Sequence, residues 1–319
     1  MNSDQTQQPA NQCDLCGGSS FEEISDRDRH GKELHSGICS GCGLVAHMPV
    51  PSEEEVSAYY AEQYRRDYHG ESTPSSRRIM RAWRNGDRIL KQLYSRLERS
   101  AKVFEIGAGI GCTVKSFELQ GFDASGIEPN KDFNAFTREQ LNASVENRNL
   151  YDLPAEPTYD VVLLIHVIEH FSSPTRALNH IHSLIKEDGY FYVECPNIAG
   201  PFATFDRLFH YAHIYNFTPA TLIALAKKCG FELVSQFTDE SHPDIHMLFR
   251  RVEEKSLEIS ADEAERTKAA IFRYNKLTYH LRPAYIIRRI NKVLSYLGEF
   301  LLARVFVKGM LKHCGNKKG

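Results

Sequence analysis

The sequence predicts an α/β fold: a seven-stranded, mostly parallel sheet with helices on both faces, preceded by a small cysteine-bearing module and followed by a helical tail. Three observations predict it. Short β-type segments alternate with helical patterns between residues 101 and 252, as in parallel sheets. A glycine-rich turn follows the first of these strands. Two C-x-x-C pairs precede this region, and a long amphipathic pattern follows it.

The composition is that of an ordinary globular protein. The chain has 319 residues, of which 42% are hydrophobic and 25% are charged, and its net charge of −2 does not favour nucleic-acid binding. Residues 1–12 are polar and lack the apolar segment of a signal peptide, so we expect a disordered leader. Without export the eight cysteines do not indicate disulfides, and no apolar run is long enough for a membrane span. We therefore expect a cytoplasmic protein.

Residues 13–50 contain two cysteine pairs with the spacing of a zinc site. Cys13 and Cys16 form the first C-x-x-C, Cys39 and Cys42 form the second, and a glycine follows each pair. Zinc takes four tetrahedral ligands, which two such turns supply as opposed pairs. We predict a zinc-ribbon-like module with a structural ion, because four thiolates leave no open coordination position. A redox dithiol and a metal-free fragment are the alternatives.

The core predicted at residues 101–252 follows a linker with helices at 51–100. Ser52 opens a helix with three glutamates in its first turn, and Ser75–Arg99 carries apolar residues at helical spacing. The last two core strands are expected to form an antiparallel pair. The predicted strands are Val103–Ile106, Asp123–Ile127, Ser144–Glu146, Tyr159–Ile165, Tyr190–Glu194, Glu232–Phe237 and Ile245–Arg251.

Polar and glycine residues follow the ends of the first three strands. Gly107, Gly109 and Gly111 allow the backbone to approach a ligand closely at the carboxyl edge of the sheet. Glu128 closes the second strand, where a carboxylate can accept from two ribose hydroxyls. Asn149 follows the third strand. These positions predict a nucleoside-binding edge.

Two motifs carry a family resemblance over residues 102–251. E-I-G-A-G-I-G from Glu105, and D-V-V-x-x-x-H-V-I-E-H-F from Asp160 with Pro174 downstream, resemble the class I S-adenosylmethionine-dependent methyltransferases. The resemblance implies a Rossmann-like sheet of strand order 3-2-1-4-5-7-6 and S-adenosylmethionine as cofactor. It implies that Glu105 and the glycine turn hold the methionine part, Glu128 the ribose and Asn149 with Leu150 the adenine edge. The predicted cofactor-binding residues are Glu105, Gly107, Ala108, Gly109, Gly111, Glu128, Pro129, Asn149, Leu150, Ile165 and His166.

Dinucleotide-dependent oxidoreductases are the competing nucleotide-binding class. Their turn follows the pattern G-x-G-x-x-G. Cys112 stands where that pattern requires its third glycine, which favours the methyltransferases.

The candidate catalytic residues are His166, Glu169, His170 and His213. Methyl transfer mainly requires alignment, with a base only where the acceptor has a proton to lose. The E-H pair and the later histidine in H-I-Y-N-F-T-P resemble metal-assisted O-methyltransferases of ubiquinone biosynthesis and small-RNA 3′ ends, which implies a possible divalent cation at the active site. His166 replaces the first acidic ligand of that family. Histidine base catalysis, a bound metal and a purely structural role all stay open.

Two further segments have functional alternatives. Five aromatic residues between Pro196 and Tyr215 predict either a substrate lid or core packing. The tail, residues 253–319, carries nine Lys/Arg and one acid from Arg282 onward. A basic amphipathic helix at Tyr285–Leu311 can lie on a membrane, pack on the core or pair two subunits. Its apolar face comprises Ile286, Ile290, Val293, Leu297, Leu301 and Val305.

The order of modules indicates a class of acceptor. The cysteine module, the P-x-P-S-E-E-E-V-x-x-Y-Y segment from Pro49 and the core resemble bacterial methyltransferases of surface-polysaccharide and secondary-metabolite pathways. This resemblance implies O-methylation of a sugar or glycolipid hydroxyl at the inner membrane face. C-methylation of a nucleotide sugar, RNA methylation and a non-catalytic scaffold are the alternatives. RNA is disfavoured because residues 13–42 lean acidic.

Overall fold

The computed structural model describes residues 12–62, 74–131 and 136–315, so the leader predicted at residues 1–12 lies almost wholly outside the described residues. The chain divides into two compact units, each built from several segments. The first unit comprises Met1–Ala58, Ile168–Asn179 and Glu194–Tyr279. The second comprises Tyr59–Val167, His180–Val193 and His280–Gly319. The domain boundaries inferred from the sequence stay predictions.

Strands and helices alternate through most of the described chain. The strands are β1 Phe21–Arg27, β2 Glu33–Cys39, β3 Val45–His47, β4 Lys102–Ile106, β5 Asp123–Ile127, β6 Val145–Glu146, β7 Tyr159–Ile165, β8 Ile185–Pro196, β9 Tyr215–Asn216, β10 Phe231–Gln236 and β11 Asp244–Arg251. The helices are α1 Glu53–Glu62, α2 Ser76–Leu93, α3 Cys112–Leu119, α4 Pro174–Leu184, α5 Pro219–Lys228, α6 Glu263–Ile271, α7 Lys276–His280 and α8 Pro283–Gly315.

The seven-stranded sheet has the predicted topology. Its strand order is β10-β11-β8-β7-β4-β5-β6, which is the expected 3-2-1-4-5-7-6 order of the core strands. β4 pairs in parallel with β5 and β7, whereas β10 and β11 are antiparallel. The continuous apolar run of β7 is buried from Val161 to Leu164, as expected of a strand covered on both faces. The Rossmann-like fold class is confirmed.

The connection between α4 and β8 differs from the prediction. The helix predicted to end at Lys186 ends at Leu184, and the strand predicted at Tyr190–Glu194 extends over Ile185–Pro196. Both Ile185 and the segment Phe191–Cys195 are buried. Sheet pairing and burial outweigh local propensity here, as is common at element boundaries.

The first unit contains a separate four-stranded sheet of order β1-β2-β3-β9. Its fourth strand comes from Tyr215–Asn216, far along the chain, and Val45 of β3 pairs with Asn216. Rings of the predicted aromatic segment pack here. Phe209 is 2% exposed and contacts the cluster formed around Ile38 and Val45. Core packing therefore accounts for this part of the segment.

The second unit places the tail helix α8 against α2. Arg81 of α2 donates to the buried carboxylate of Glu299 with an Nε–Oε2 distance of 2.8 Å. The predicted apolar face of α8 lies elsewhere on the helix and is between 50% and 73% exposed at all six positions. In the described part of the chain, no helix combines the length and apolarity needed to cross a bilayer.

Candidate functional site

The glycine turn after β4 has a left-handed backbone. Gly107, Gly109 and Gly111 have φ angles of 70°, 54° and 73°. A Cβ on Gly107 would lie 2.6 Å from a methyl group of Val167, and one on Gly111 would overlap the methyl group of Thr137. Side chains at these two positions are therefore excluded sterically as well as by backbone strain. The turn brings bare backbone to the carboxyl edge of β4.

Glu128, at the end of β5, holds this turn. Its Oε2 accepts from the Gly109 amide at 2.8 Å, and its Oε1 accepts from the Asn130 amide at 2.7 Å. The side chain is buried, and burial raises the pKa of Glu128 although both amides oppose the shift. Each carboxylate oxygen has two lone pairs, so the group can still accept from ligand hydroxyls. The remaining acceptor capacity of Glu128 therefore suits the two hydroxyl groups of a ribose.

The other predicted cofactor residues of β4 and β7 occupy the same unit. Glu105 is 4% exposed within β4, and the Ala108 amide donates to the carbonyl of Ile127 at 2.9 Å. Ile165 is half-buried at the end of β7, and His166 follows as an exposed residue with a φ of 53°. A left-handed histidine costs conformational energy, and such residues cluster at functional sites.

The adenine-edge prediction falls on a capped turn. Asn149 is exposed and begins a short 3-10 helix, Leu150–Asp152, in which Leu150 is buried. Asn147, which the sequence analysis missed, donates its amide to the carbonyls of Glu128 at 2.8 Å and Pro129 at 2.9 Å. It thereby fixes the chain that follows β5. Only its position after a short strand hints at this role.

In the first unit, three of the predicted catalytic residues converge. Glu169, His170 and His213, hereafter the Glu169 cluster, each offer a ligand atom within 4.8 Å of the others. Oε1 of Glu169 lies 3.9 Å from Nε2 of His170 and 3.8 Å from Nε2 of His213. His170 Nδ1 lies 2.6 Å from the carbonyl of Ala212. A proton on Nδ1 would be donated to that carbonyl, leaving the lone pair on Nε2.

The surroundings of the Glu169 cluster favour positive charge on it. The Glu169 side chain is 2% exposed, and a buried carboxylate is costly without a compensating cation or proton. His210, which the sequence analysis missed, lies 3.7 Å from His213 between ring centroids. Burial lowers the pKa of His210 to about 3 and that of His47 to about 4, so both rings stay neutral near pH 7. Neither of these two rings therefore supplies a positive charge beside Glu169.

The four predicted metal-ligating cysteines also converge in this unit. The sulfurs of Cys13 and Cys42 lie 3.4 Å apart, and those of Cys16 and Cys39 lie 3.5 Å apart. All four sulfurs are within 4.8 Å of one another. Sulfurs bound tetrahedrally to zinc at 2.3 Å would lie about 3.8 Å apart. The set therefore has the composition and spacing of a structural zinc site.

Ionisation in this cysteine cluster also fits a cation. Hydrogen bonding to Cys13 and Cys42 lowers the pKa of Cys39, whereas the hydrogen bond to Cys39 raises the pKa of Cys13. Adjacent sulfurs thus compete for one negative charge. A divalent cation removes this competition, since metal-bound cysteines are thiolates.

Asp14, inside the first C-x-x-C, connects the cysteine cluster to the segment that follows Glu169 and His170. The buried Asp14 carboxylate accepts from the Ser173 hydroxyl at 2.6 Å and the Thr175 amide at 2.7 Å, at the start of α4. Lys228 donates to the Asp14 carbonyl at 2.6 Å. The carboxylate is favourably placed at a helix N-terminus. No sequence pattern indicates this contact, which joins residues about 160 positions apart.

Comparisons with known proteins identify the family of the chain. A family model described as "Methyltransferase domain" matches residues 76–236. An uncharacterized methyltransferase of Alkaliphilus oremlandii is 25% identical over 95 residues, which are 29% of this chain and 44% of that protein. An uncharacterized protein of Mycobacterium tuberculosis is 23% identical over 134 residues, 39% of this chain and 44% of that protein. The chain spans less than half the length of these relatives.

Solved structures show likeness in fold. The 1,6-didemethyltoxoflavin-N1-methyltransferase of Burkholderia thailandensis, with bound 1,6-didemethyltoxoflavin and S-adenosylhomocysteine, matches with a TM-score of 0.51 at 19% identity. The match covers 73% of this chain and 100% of that chain. A Synechocystis magnesium protoporphyrin IX methyltransferase matches with a TM-score of 0.47 at 16% identity, over 63% of this chain and 100% of that chain.

Proposed function

The chain belongs to the methyltransferase family, and from that premise we propose that it transfers the methyl group of S-adenosylmethionine to an acceptor hydroxyl. The observation that carries the proposal is Glu128, a buried carboxylate that holds the glycine turn through the Gly109 amide. Its remaining acceptor capacity suits ribose hydroxyls, and the side-chain-free turn suits the methionine part. The bound cofactor would supply an electrophilic methyl group.

The other cofactor residues have complementary roles in this proposal. Glu105, Ala108 and Gly111 border the methionine part, Ile165 and His166 border the reacting end, and Pro129, Asn149 and Leu150 border the nucleoside. Leu150 is buried and Asn149 exposed, so the two supply an apolar contact and a polar edge. Such a combination of apolar lining and a few polar groups is usual in cofactor sites.

The proposed acceptor is a sugar or glycolipid hydroxyl. The resemblance of the module order to polysaccharide-pathway methyltransferases supports this class, and so does the exposed apolar face of α8, because a lipid-linked acceptor lies at a membrane surface. C-methylation of a nucleotide sugar is the second candidate, and RNA methylation and a scaffold role are further alternatives.

Acceptor class is tested by incubating the full chain with S-adenosylmethionine carrying a tritiated methyl group and with separate lipid, polysaccharide, nucleotide-sugar and RNA pools. Label in an alkali-stable ether of the lipid or polysaccharide pool supports the proposal. Label only in RNA or only on sugar carbon contradicts the acceptor class, and the absence of S-adenosylhomocysteine in every pool supports the scaffold.

We assign the proton transfer to His170. Its Nδ1 lies 2.6 Å from the Ala212 carbonyl, an arrangement that fixes the ring and leaves Nε2 to accept a proton. Glu169 would stabilise the protonated ring, and His213 would share this charge. His166, exposed and with a φ of 53°, is assigned to the cofactor side of the reaction.

Replacing His170 by alanine is expected to lower kcat by about 10²–10⁴-fold and to change S-adenosylhomocysteine affinity little, because general-base loss affects the reaction rather than cofactor binding. Turnover and calorimetric binding measure the two quantities. His35→Ala, which removes an exposed histidine of the same unit, should leave both unchanged. Equal losses in turnover and affinity would instead indicate a structural role.

A divalent cation on the Glu169 cluster is the second candidate, favoured by the carboxylate and two imidazoles that converge there. The assay that separates it from base catalysis is turnover after chelation, followed by addition of Mg²⁺ or Mn²⁺. Activity restored only by the cation supports metal assistance. Because chelation also removes the proposed structural zinc, Zn²⁺ is restored first, and full activity with Zn²⁺ alone supports the histidine base.

The remaining two proposals concern the flanking modules. The cysteine cluster is proposed to hold one structural Zn²⁺, which its four sulfurs and their spacing favour. The exposed face of α8 is proposed to lie on an anionic membrane surface. Charge complementarity supports this occupant, because Arg288, Arg289 and Lys292 accompany the apolar residues on the exposed part of the helix.

Replacing Leu297 and Leu301 together by aspartate is expected to reduce co-sedimentation with phosphatidylglycerol-containing vesicles by at least about 10-fold. Each leucine is more than half exposed, so the loss of apolar burial falls on membrane contact and not on folding. Leu277→Asp, a comparably exposed position outside α8, is the control. Equal sedimentation of the wild type, the double variant and Leu277→Asp would contradict the membrane proposal. A change from dimer to monomer in the double variant would indicate that this face of α8 pairs two subunits.

A further inference from the structure

Strand β11 and the residue pair before it carry a group of metal-ligand side chains that the proposed function does not use. His242, Asp244 and His246 occupy every second position. Side chains at such positions lie on one face of an extended chain. One ligand atom from each residue lies within 4.8 Å of the other two. We infer that these three residues, hereafter the His242 cluster, bind a divalent transition-metal ion of the zinc type.

The donor set determines the class of ion. Two imidazoles and a carboxylate suit zinc and its neighbours among the first-row metals, whereas Mg²⁺ and Ca²⁺ prefer oxygen ligands only. Tetrahedral bonds of about 2.0–2.1 Å place neighbouring ligand atoms about 3.3 Å apart. Small side-chain rotations therefore bring the observed set onto an ion. Three protein ligands would leave one position open to water or another ligand.

The backbone of Asp244 fixes the orientation of the His242 ring. Its Nδ1 lies 2.8 Å from the carbonyl oxygen of Asp244. The Asp244 amide donates to the same Nδ1 at 3.1 Å, so the backbone of Asp244 holds the ring at this nitrogen. Contacts of this kind to the outer side of a histidine ring restrict its orientation, as they do in metal sites.

A buried carboxylate stands beside the cluster. Oε2 of Glu194, in β8, lies 3.6 Å from Nε2 of His246, and the side chains are 1% and 11% exposed. Together Asp244 and Glu194 supply two negative charges, which a divalent cation balances. Since buried charges are costly unless paired, a cation here lowers the cost of placing Glu194 in the interior.

The backbone that carries His242 is held before any ion binds. The buried side chain of Asn197 donates to the carbonyls of Glu240 at 2.9 Å and His242 at 3.0 Å. Its backbone amide donates to the carbonyl of Pro243 at 2.8 Å. Three bonds from one residue restrain the loop that enters β11. Ligands on restrained backbone lose less entropy on binding, which favours tight coordination.

The test measures metal content and does not depend on methyl transfer. The full chain is stripped with a mild chelator and dialysed against buffered Zn²⁺, and bound zinc is counted by mass spectrometry for the wild type and for His242→Gln with His246→Gln. The wild type should bind one zinc more than the double variant. The affinity of the double variant for zinc at this site should fall by more than about 10–100-fold, which is the loss typical when a residue that only contacts a metal ligand is replaced.

Two further variants show which cluster binds the additional zinc. His170→Gln with His213→Gln removes the Glu169 cluster and should retain the zinc of the His242 cluster. Asp244→Asn changes side-chain volume little, so it carries the test if the double histidine variant does not fold, as judged by circular dichroism. Co²⁺ substitution adds a spectroscopic readout, because thiolates give charge-transfer bands that nitrogen and oxygen ligands do not. Identical zinc counts in the wild type, the His242/His246 double variant and Asp244→Asn would overturn the inference.

Discussion

If the cysteine cluster holds the proposed zinc, replacing Cys39 by serine is expected to release the ion and to lower the free energy of unfolding by several kcal/mol. Metal binding to such sites contributes directly to folding, because the ligands are assembled only in the folded chain. Cys39 is buried and lies 3.5 Å from Cys16 between sulfurs. Loss of the ion also disturbs the first C-x-x-C turn, in which Asp14 bonds to Ser173 and Thr175. Turnover should therefore fall together with stability. Zinc content, thermal unfolding and methyl transfer are measured on the same preparation.

Cys112→Ala is the matched control, since Cys112 is equally buried and lies outside the cluster. It should lose about 1 kcal/mol through the small cavity and retain its zinc. Chelation of the wild type should reproduce the Cys39 effect without any substitution. A Cys39 variant with unchanged zinc content and unfolding temperature would show that the four sulfurs do not hold a structural ion.

Replacing Glu128 by glutamine is expected to weaken S-adenosylhomocysteine binding by about 10–100-fold, equivalent to roughly 1.4–2.7 kcal/mol. One amide nitrogen replaces an acceptor oxygen, so the side chain can no longer accept from the Gly109 amide, the Asn130 amide and ribose hydroxyls together. The charge that strengthens these bonds is also lost. Calorimetric titration gives the affinity, and turnover at saturating cofactor shows whether the reaction itself is affected.

Glu118→Gln provides the comparison within the same unit. Glu118 accepts from the Ser144 amide at 2.8 Å and pairs with Lys115 at 2.8 Å, so it is a bonded carboxylate outside the proposed cofactor residues. Its replacement should alter stability and leave cofactor affinity nearly unchanged. Equal affinity in the wild type and the Glu128 variant would remove the main support for the cofactor site.

Features that depend on local chain chemistry could be predicted from the sequence. Gly107, Gly109 and Gly111 indicated a turn of bare backbone, a requirement that is satisfied within a few residues. The two C-x-x-C pairs indicated that four sulfurs converge, because zinc takes four ligands. The strand order was implied by the resemblance to the class I methyltransferases, and the sheet has that order. Segment boundaries were less accurate, as at Leu184, where burial determines the end of the helix.

Features that depend on distant partners required the tertiary structure. No pattern around Asp14 shows that its carboxylate meets Thr175, and nothing near Tyr215 shows that it pairs with a strand of the cysteine module. The periodicity of α8 identified an apolar stripe, but only packing against α2 showed that Glu299 is buried and that the stripe is exposed. The physical reason is that periodicity and residue type describe one segment, whereas burial and ionic pairing depend on which segments meet.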